Sequence, residues 1–410
     1  MIGEGGQGAV YEAAVEGAEE PVALKWYLPH CATPAQREAI SMLVELTPPS
    51  DRFLWPSELA TIDGEQSFGY VMPLRPPNYV GMVDVLAGRV DVSLASICTV
   101  GYELADSFLK LHNEGYCYRD VSYGNVFLEP TTGKVLICDN DNVGIDGVST
   151  SNVLGTRRFM APEIVRGEAA PSTRTDLFSL SVLLFYLLMV GHPLLGRREL
   201  GHASLDGEAE KHLFGIHPVF VFDPDDVSNA PVPGVHDAVI SNWSYYPKMI
   251  RDHFTRAFTE GLRNPQHGRV AESIWRLALA RLRDQIMPCP ACGRTNIFDE
   301  AEPDQSCWSC KRNMPRPLRL RIGRETVVLK EGTVLHPHHV RLDHDFDTPL
   351  AVIAQHPERT EVWGLRNLTE NTWPVTLPDG STREVEPGRS VGLIPGAVID
   401  LGVVQAHLEL

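Results

Sequence analysis

Two carboxylates and an amide stand out in the stretch Tyr118 to Asp141, which reads YRDVSYGNVFLEPTTGKVLICDND. Asp120 and Asn125 share a loop that runs into an apolar segment, Val126-Phe127-Leu128. A Thr-Thr-Gly turn then leads to a second apolar run, Val135 to Cys138, which ends at Asp139. Two short strands joined by such a turn bring Asn125 and Asp139 together at one end of a hairpin. Both are hard oxygen ligands suited to Mg²⁺, and Asp120 is a candidate base for a hydroxyl. The set suits phosphoryl transfer, which needs a divalent ion between phosphates, an oriented acceptor and positive charge on the phosphates.

Other elements must supply that charge and cover the phosphates. Gly3, Gly5 and Gly8 have G-x-G-x-x-G spacing, with Val10 two residues beyond. Glycines let backbone N–H groups approach phosphate closely. The spacing alone also fits a glycine-rich turn, and dinucleotide-binding folds share it. Those folds continue directly into a helix. Here a strand-like stretch, Ala9 to Ala14, leads instead to Pro21-Val22-Ala23-Leu24-Lys25-Trp26-Tyr27. Thr33-Pro34 then reads as an N-cap with proline at the first helical position, opening a helix over Ala35 to Leu46.

In this order the segments resemble eukaryotic-type protein kinases. Tyr118-Arg119-Asp120 through Asn125 resembles the catalytic loop, and Asp139-Asn140-Asp141 the metal-binding motif. Val-Ala-Leu-Lys resembles the third strand, Phe68 to Arg75 the last small-lobe strand and hinge, and Gly155 to Glu163 the end of the activation segment. The resemblance implies that Gly3, Gly5 and Gly8 cover the phosphates of ATP. It also implies that Lys25 holds the α- and β-phosphates, paired with a helix carboxylate. Glu38 fits that role best, with Glu45 as competitor. Val10, Ala23, Met72 and Leu74 line the adenine, with Met72 as gatekeeper. Asn125 and Asp139 hold Mg²⁺ or Mn²⁺, and Asp120 aligns the acceptor hydroxyl. Asp176 caps a buried helix and anchors the catalytic-loop backbone. Arg269 pairs with Glu163, and Thr156 is a catalytic-site hydroxyl. Arg119 is of the kind that receives an activation-segment phosphate, with Ser149, Thr150 and Ser151 as candidate acceptors or simply a polar loop.

Several departures from the family pattern matter. Tyr118 stands for its His, Ser122 for the catalytic-loop Lys, and Asn140-Asp141 for Phe-Gly. Asp141 adds a carboxylate near the metal. The combination looks like a divergent bacterial group linked to tellurite-resistance or stress-response gene clusters. Its expected activity is phosphate transfer to Ser/Thr hydroxyls. The alternative is a nucleotide-binding pseudokinase that acts as a scaffold.

Composition narrows the field. A net charge of −17 disfavours non-specific nucleic-acid binding and docking on anionic membranes. No basic-then-apolar segment opens the chain, and the apolar run near Leu180 to Val190 is too short to span a membrane. Four of the eight cysteines are scattered, which suggests a reducing, cytoplasmic setting. The other four form two C-x-x-C knuckles, Cys289/Cys292 and Cys307/Cys310, whose spacing fits a closed four-thiolate zinc site. A redox C-x-x-C stands singly in a thioredoxin-like setting. From 317 onward short apolar-polar alternations separated by turns predict an all-β sandwich.

Trp363 to Thr372 resembles a forkhead-associated domain. However, the phosphothreonine-binding Arg position reads Leu335-His336-Pro337, so a protein-docking sandwich is the competing reading. The expectation is an α+β chain with a two-lobed kinase fold. Its small lobe covers 1–74, its large lobe 75–286, a zinc ribbon 287–316 and a β-sandwich 317–410, which docks a protein substrate or partner.

Overall fold

The computed structural model describes residues 1–410 apart from 18, 19, 148–153, 303, 341–344, 346, 347, 357, 360 and 361. The candidate acceptors Ser149, Thr150 and Ser151 lie outside the described residues. Residue contacts divide the chain into two compact units, Met1–Leu279 and Ala280–Leu410.

The first unit opens with an antiparallel sheet of β1 (Gly3–Glu4), β2 (Gly8–Ala13), β3 (Val22–Tyr27), β4 (Glu58–Thr61) and β5 (Phe68–Pro73), in the order β1-β2-β3-β5-β4. Side chains alternate across a strand. In β3 that alternation sends Ala23, Lys25 and Tyr27 to the buried face. Helix α1 (Pro34–Glu45) starts where Thr33 accepts a hydrogen bond from Gln36 N at 3.1 Å, with proline at the first position. It buries Ile40 and Leu43 and leaves Glu38 and Glu45 exposed.

The remainder of this unit is mostly helical. Helix Leu94–Asn113 packs on helix Thr173–Met189, in which Leu180, Val182, Leu183, Leu184 and Phe185 are wholly buried. Among the described residues no helix is long and apolar enough to cross a membrane. The cap of the second helix differs from expectation. Ser172 and Thr175 form a reciprocal capping box, and Asp176 lies inside the first turn, free to bond elsewhere.

The hairpin Val126–Leu128/Val135–Ile137 pairs Val126 with Ile137. Cys138 N donates to Asn125 O at 3.0 Å, which sets Asn125 beside the residue preceding Asp139. The segment leading to β4 joins the hairpin's far side, with Ile137 N to Arg52 O at 2.8 Å and Leu54 N to Ile137 O at 2.9 Å. Arg52 is fixed in turn by Asp106 at 2.7 Å and Glu103 at 3.1 Å.

The second unit contains two antiparallel sheets. One has six strands in the order Glu325–Val328, Arg319–Ile322, Gln405–Glu409, Val398–Asp400, Trp373–Thr376, Thr382–Val385. The other has four, in the order Val334–Leu335, Ala351–Gln355, Trp363–Asn367, Ser390–Gly392. Leu320, Leu408 and Ile399 from the first and Ala351, Ile353 and Leu365 from the second meet in one apolar core. A smaller cluster gathers Met287, Cys289, Phe298, Cys307 and Met314 around a two-stranded ribbon, Ile286–Pro288 with Thr295–Ile297.

Candidate functional site

A cleft of about 410 Å³ opens in the first unit, lined by the Gly3–Gly8 turn, Val10, Lys25, Asp120, Asp139 and Asn142. The turn is a tight hairpin in which Gly3 pairs with Val10 and Gly5 N donates to Gly8 O at 2.9 Å. Only Gly8 is sterically obligatory among its glycines, because a Cβ there would lie 2.2 Å from Trp26 O, whereas Gly3, Gly5 and Gly6 face open space. Ala23 and Met72 are buried partners across β3 and β5, and Leu74 is half-buried just beyond.

Lys25 is almost wholly buried, and three oxygens receive its amine. Nζ lies 2.8 Å from Asp141 Oδ2, 3.3 Å from Asp139 Oδ1 and 3.3 Å from Gln7 Oε1. Burial alone would push its pKa down, but the Asp141 and Asp139 carboxylates outweigh it and raise it, so the amine stays charged. The expected pairing with Glu38 is not formed. Among the described residues the ion pairs of Lys25 are with Asp139 and Asp141, and Glu38 is exposed on α1. The residue that α1 turns inward is Gln36, whose Nε2 donates to Tyr27 OH at 3.1 Å and Asp141 O at 3.4 Å. Tyr27 OH donates to Asp141 Oδ2. Burial and that carboxylate push the phenol's pKa well up, which keeps the proton on it.

The 139–142 loop is shaped by backbone geometry. Asp139 has φ +55°, in the left-handed region, and Asn140–Asn142 form a 3₁₀ turn. Asn140 is fully buried, with Nδ2 donating to Ile137 O at 3.0 Å. Burial, with Asp141 close by, raises the Asp139 pKa in spite of Lys25. Two carboxylates thus share one lysine, and Asp141 Oδ1 and Asn142 Oδ1 are buried oxygens without a hydrogen-bond partner among the described residues. This surplus of acceptor oxygen suits a divalent cation beside Asp139.

Asp120 Oδ1 accepts Thr156 N at 2.8 Å and Thr156 Oγ1 at 2.7 Å, and its backbone O accepts Asn125 Nδ2 at 2.9 Å. The loop that carries it hangs from Asp176, whose two oxygens accept Tyr118 N at 2.5 Å and Arg119 N at 3.1 Å. Tyr118 OH donates to Cys138 O, which pins the backbone just before Asp139. Arg119 has φ +73° and packs so tightly on Gly144 that a Cβ there would lie 2.0 Å from its guanidinium. Arg269 holds Glu163 at 2.6 and 2.8 Å. Gln7, Tyr27, Gln36 and Asn142 escaped the sequence reading because neutral side chains on ordinary elements carry no motif signal.

His112 stands between Asp176 and Glu272, with Nε2 3.2 Å from Asp176 Oδ2 and Nδ1 against Glu272. Burial would lower its pKa, but both carboxylates raise it to about 9. A folded value above the unfolded one of about 6.5 stabilises the protein below pH 6.5 and is lost as pH rises through 9. Denaturant unfolding should therefore lose on the order of 3 kcal/mol between those limits. His112→Gln should flatten that dependence. An unchanged slope in the variant would show that the titration lies elsewhere.

In the second unit the four thiols converge. Sγ of Cys289 and Cys310 are 3.8 Å apart, those of Cys292 and Cys307 are 3.7 Å apart, and all four lie within 4.8 Å of one another. Four thiolates about 2.3 Å from a central zinc in a tetrahedron stand about 3.8 Å apart. Each knuckle closes through left-handed backbone after its second cysteine, at Gly293 (φ +72°) and Lys311 (φ +60°). Gly293 N donates to Cys289 O at 2.8 Å and Lys311 N to Cys307 O at 2.9 Å. Asn296 Nδ2 donates to Cys307 Sγ at 3.5 Å.

A second acid–imidazole group, Asp284, His338 and His339, brings its ligand atoms within 4.8 Å of one another, and the hydrogen bonds of His339 define its own tautomer. His336 N donates to His339 Nδ1 at 2.9 Å, which assigns the ring proton to Nε2, 3.0 Å from Asp284.

Residues 63–222 match the family model of the protein kinase domain, a segment that includes Asp120, Asn125 and Asp139. Gly3 to Lys25 lie ahead of it. Among curated proteins, the chain is 33% identical over 95 residues to "Glycogen synthase kinase 1" of Pyricularia oryzae (23% of this chain, 24% of the relative). It is 27% identical over 144 residues to "Protein kinase MCK1" of Saccharomyces cerevisiae (33% and 38%). It is 28% identical over 130 residues to "Ribosomal protein S6 kinase alpha-4" of Mus musculus (31% and 16%). The chain therefore spans well under half the length of these relatives.

Proposed function

We propose that the protein is an ATP- and Mg²⁺-dependent kinase that phosphorylates Ser/Thr hydroxyls of other proteins. The observation that carries this is the convergence of the glycine turn, Lys25, Asp120 and Asp139 on one cleft. In this reading the turn's N–H groups cover the phosphates and Lys25 neutralises them. Asn125 and Asp139 hold the cation, which screens the charge between the phosphates. Asp120, fixed by Thr156, orients the incoming hydroxyl and accepts its proton. Ser122 leaves the transferred phosphate without the family's loop lysine. The same reading makes 287–316 a structural zinc ribbon and 317–410 a forkhead-associated-like sandwich that docks a protein substrate or partner. The thiolate cluster favours a reducing cytoplasm. The combination of Asp120 to Asn125, Asp139 to Val143, Phe159 to Glu163 and His192 to Gly196 is the ground for placing it in the bacterial stress-signalling group.

The test is transfer of labelled phosphate from ATP, with and without Mg²⁺ or Mn²⁺. Cation-dependent labelling of protein Ser or Thr is expected. A protein that binds ATP in the cleft and labels neither itself nor generic substrates would be the scaffold instead.

A further inference from the structure

The carboxylate that family resemblance assigns to the Lys25 partner sits on α1, and there it is exposed and turned away. Lys25 nevertheless keeps a buried carboxylate at 2.8 Å. We propose that Asp141, two residues past the metal-binding aspartate, is the positioning residue that holds Lys25 for the phosphates. This rests on the kinase reading of the cleft.

Three observations carry it. First, the two carboxylates on Lys25 are unequal. The Asp139 side chain is 39% exposed toward the cleft, whereas that of Asp141 is wholly buried. Asp139 is thus open to a cation, and when it turns to one, Asp141 remains on the lysine. Second, Asp141 is held where it is needed. Its Oδ2 accepts both Lys25 Nζ and Tyr27 OH, and its backbone O accepts Gln36 Nε2. Third, the turn that brings it there is built in. Left-handed Asp139 and the buried Asn140 side chain, bonded to Ile137 O, direct position 141 inward. A glycine at 141, as in the family pattern, offers no such group.

The test measures ATP affinity and steady-state phosphate transfer for wild type, Asp141→Ala, Asp141→Asn and Glu38→Gln. Asp141→Ala is expected to lower kcat/KM about 100-fold, with at least a tenfold rise in KM for ATP. Asp141→Asn keeps the shape and hydrogen bonds and should fall between it and wild type. Glu38→Gln should stay within twofold. Thermal unfolding of each variant, read separately, distinguishes misplacement of the lysine from loss of fold, and the near-isosteric Asn variant keeps the comparison usable if Ala does not fold. A 100-fold loss in Glu38→Gln beside an unaffected Asp141→Ala would overturn the proposal in favour of the helix carboxylate. If wild type binds ATP without transferring phosphate, the kinase reading fails. The anchor then stands or falls on affinity alone, weakened by Asp141→Ala and not by Glu38→Gln.

Discussion

Asp120→Asn is expected to lower the turnover of phosphate transfer by roughly 10³-fold while ATP affinity stays within about twofold. General-base and orienting groups contribute about 10² to 10⁴ in rate. The substitution is nearly isosteric. An asparagine Oδ1 can still accept both Thr156 bonds, at 2.8 and 2.7 Å in the native site, so the loop keeps its shape. The amide cannot take up a proton from the acceptor hydroxyl. Lys25, Asp139 and the glycine turn remain to bind nucleotide. Rapid-quench transfer together with equilibrium nucleotide binding reads both quantities. Retention of more than a tenth of the rate would remove Asp120 as the base.

The second large effect is expected in the C-terminal unit. In the proposed zinc ribbon, Cys307→Ser should take zinc content from one ion per chain to none and abolish cooperative unfolding of the ribbon. The scale of the effect follows from two magnitudes. Structural zinc contributes roughly 10 to 16 kcal/mol in zinc-finger peptides, and a whole domain is stable by only about 5 to 15 kcal/mol. The ribbon's apolar cluster is small, and Cys289 and Cys307 are themselves part of it. Little else is available to hold its two short strands. Metal analysis and limited proteolysis across 287–316 read the result. Full metal content with an unaltered cleavage pattern would show that the thiols are not ligands.

Legibility followed signal type. Period and caps carried α1: Thr33-Pro34 at its start and Ile40 and Leu43 on its buried face are visible as letters. The hairpin that sets Asn125 near Asp139 was likewise readable, because two apolar runs flank a glycine turn. What could not be read was direction. The sequence shows three polar residues at the start of α1, Gln36, Arg37 and Glu38, and family analogy selected the acid. The helix's rotation, fixed by burial of Ile40 and Leu43, turns the amide inward instead. Position 141 was hidden for a related reason. A carboxylate near a metal site reads as a ligand until the backbone of Asp139, in a left-handed conformation few residues adopt, shows which way the next two side chains face. The family pattern offers Asp176 as both cap and anchor; Ser172 fills the cap, and Asp176 accepts the Tyr118 and Arg119 N–H groups as the anchor.

The neutral contact between α1 and the site has a consequence for control. Kinases of the usual pattern tie a helix carboxylate to the lysine, so positioning of that helix governs whether the lysine is set. Here α1 reaches the same centre through the amide of Gln36, by bonds at 3.1 and 3.4 Å. Neutral hydrogen bonds contribute about 1 kcal/mol each, so the two together correspond to a population bias of about thirtyfold. A partner that pulls on α1 therefore acts on the lysine through weaker contacts than the charged one Lys25 makes with Asp141. The stiffer handle is the 139–142 turn, where one short segment carries both Asp139, the cation ligand in the proposed function, and the lysine's buried counter-charge. In the proposed kinase, a regulator of this cleft would gain most by acting on that segment, because setting or releasing it would change cation and phosphate binding together.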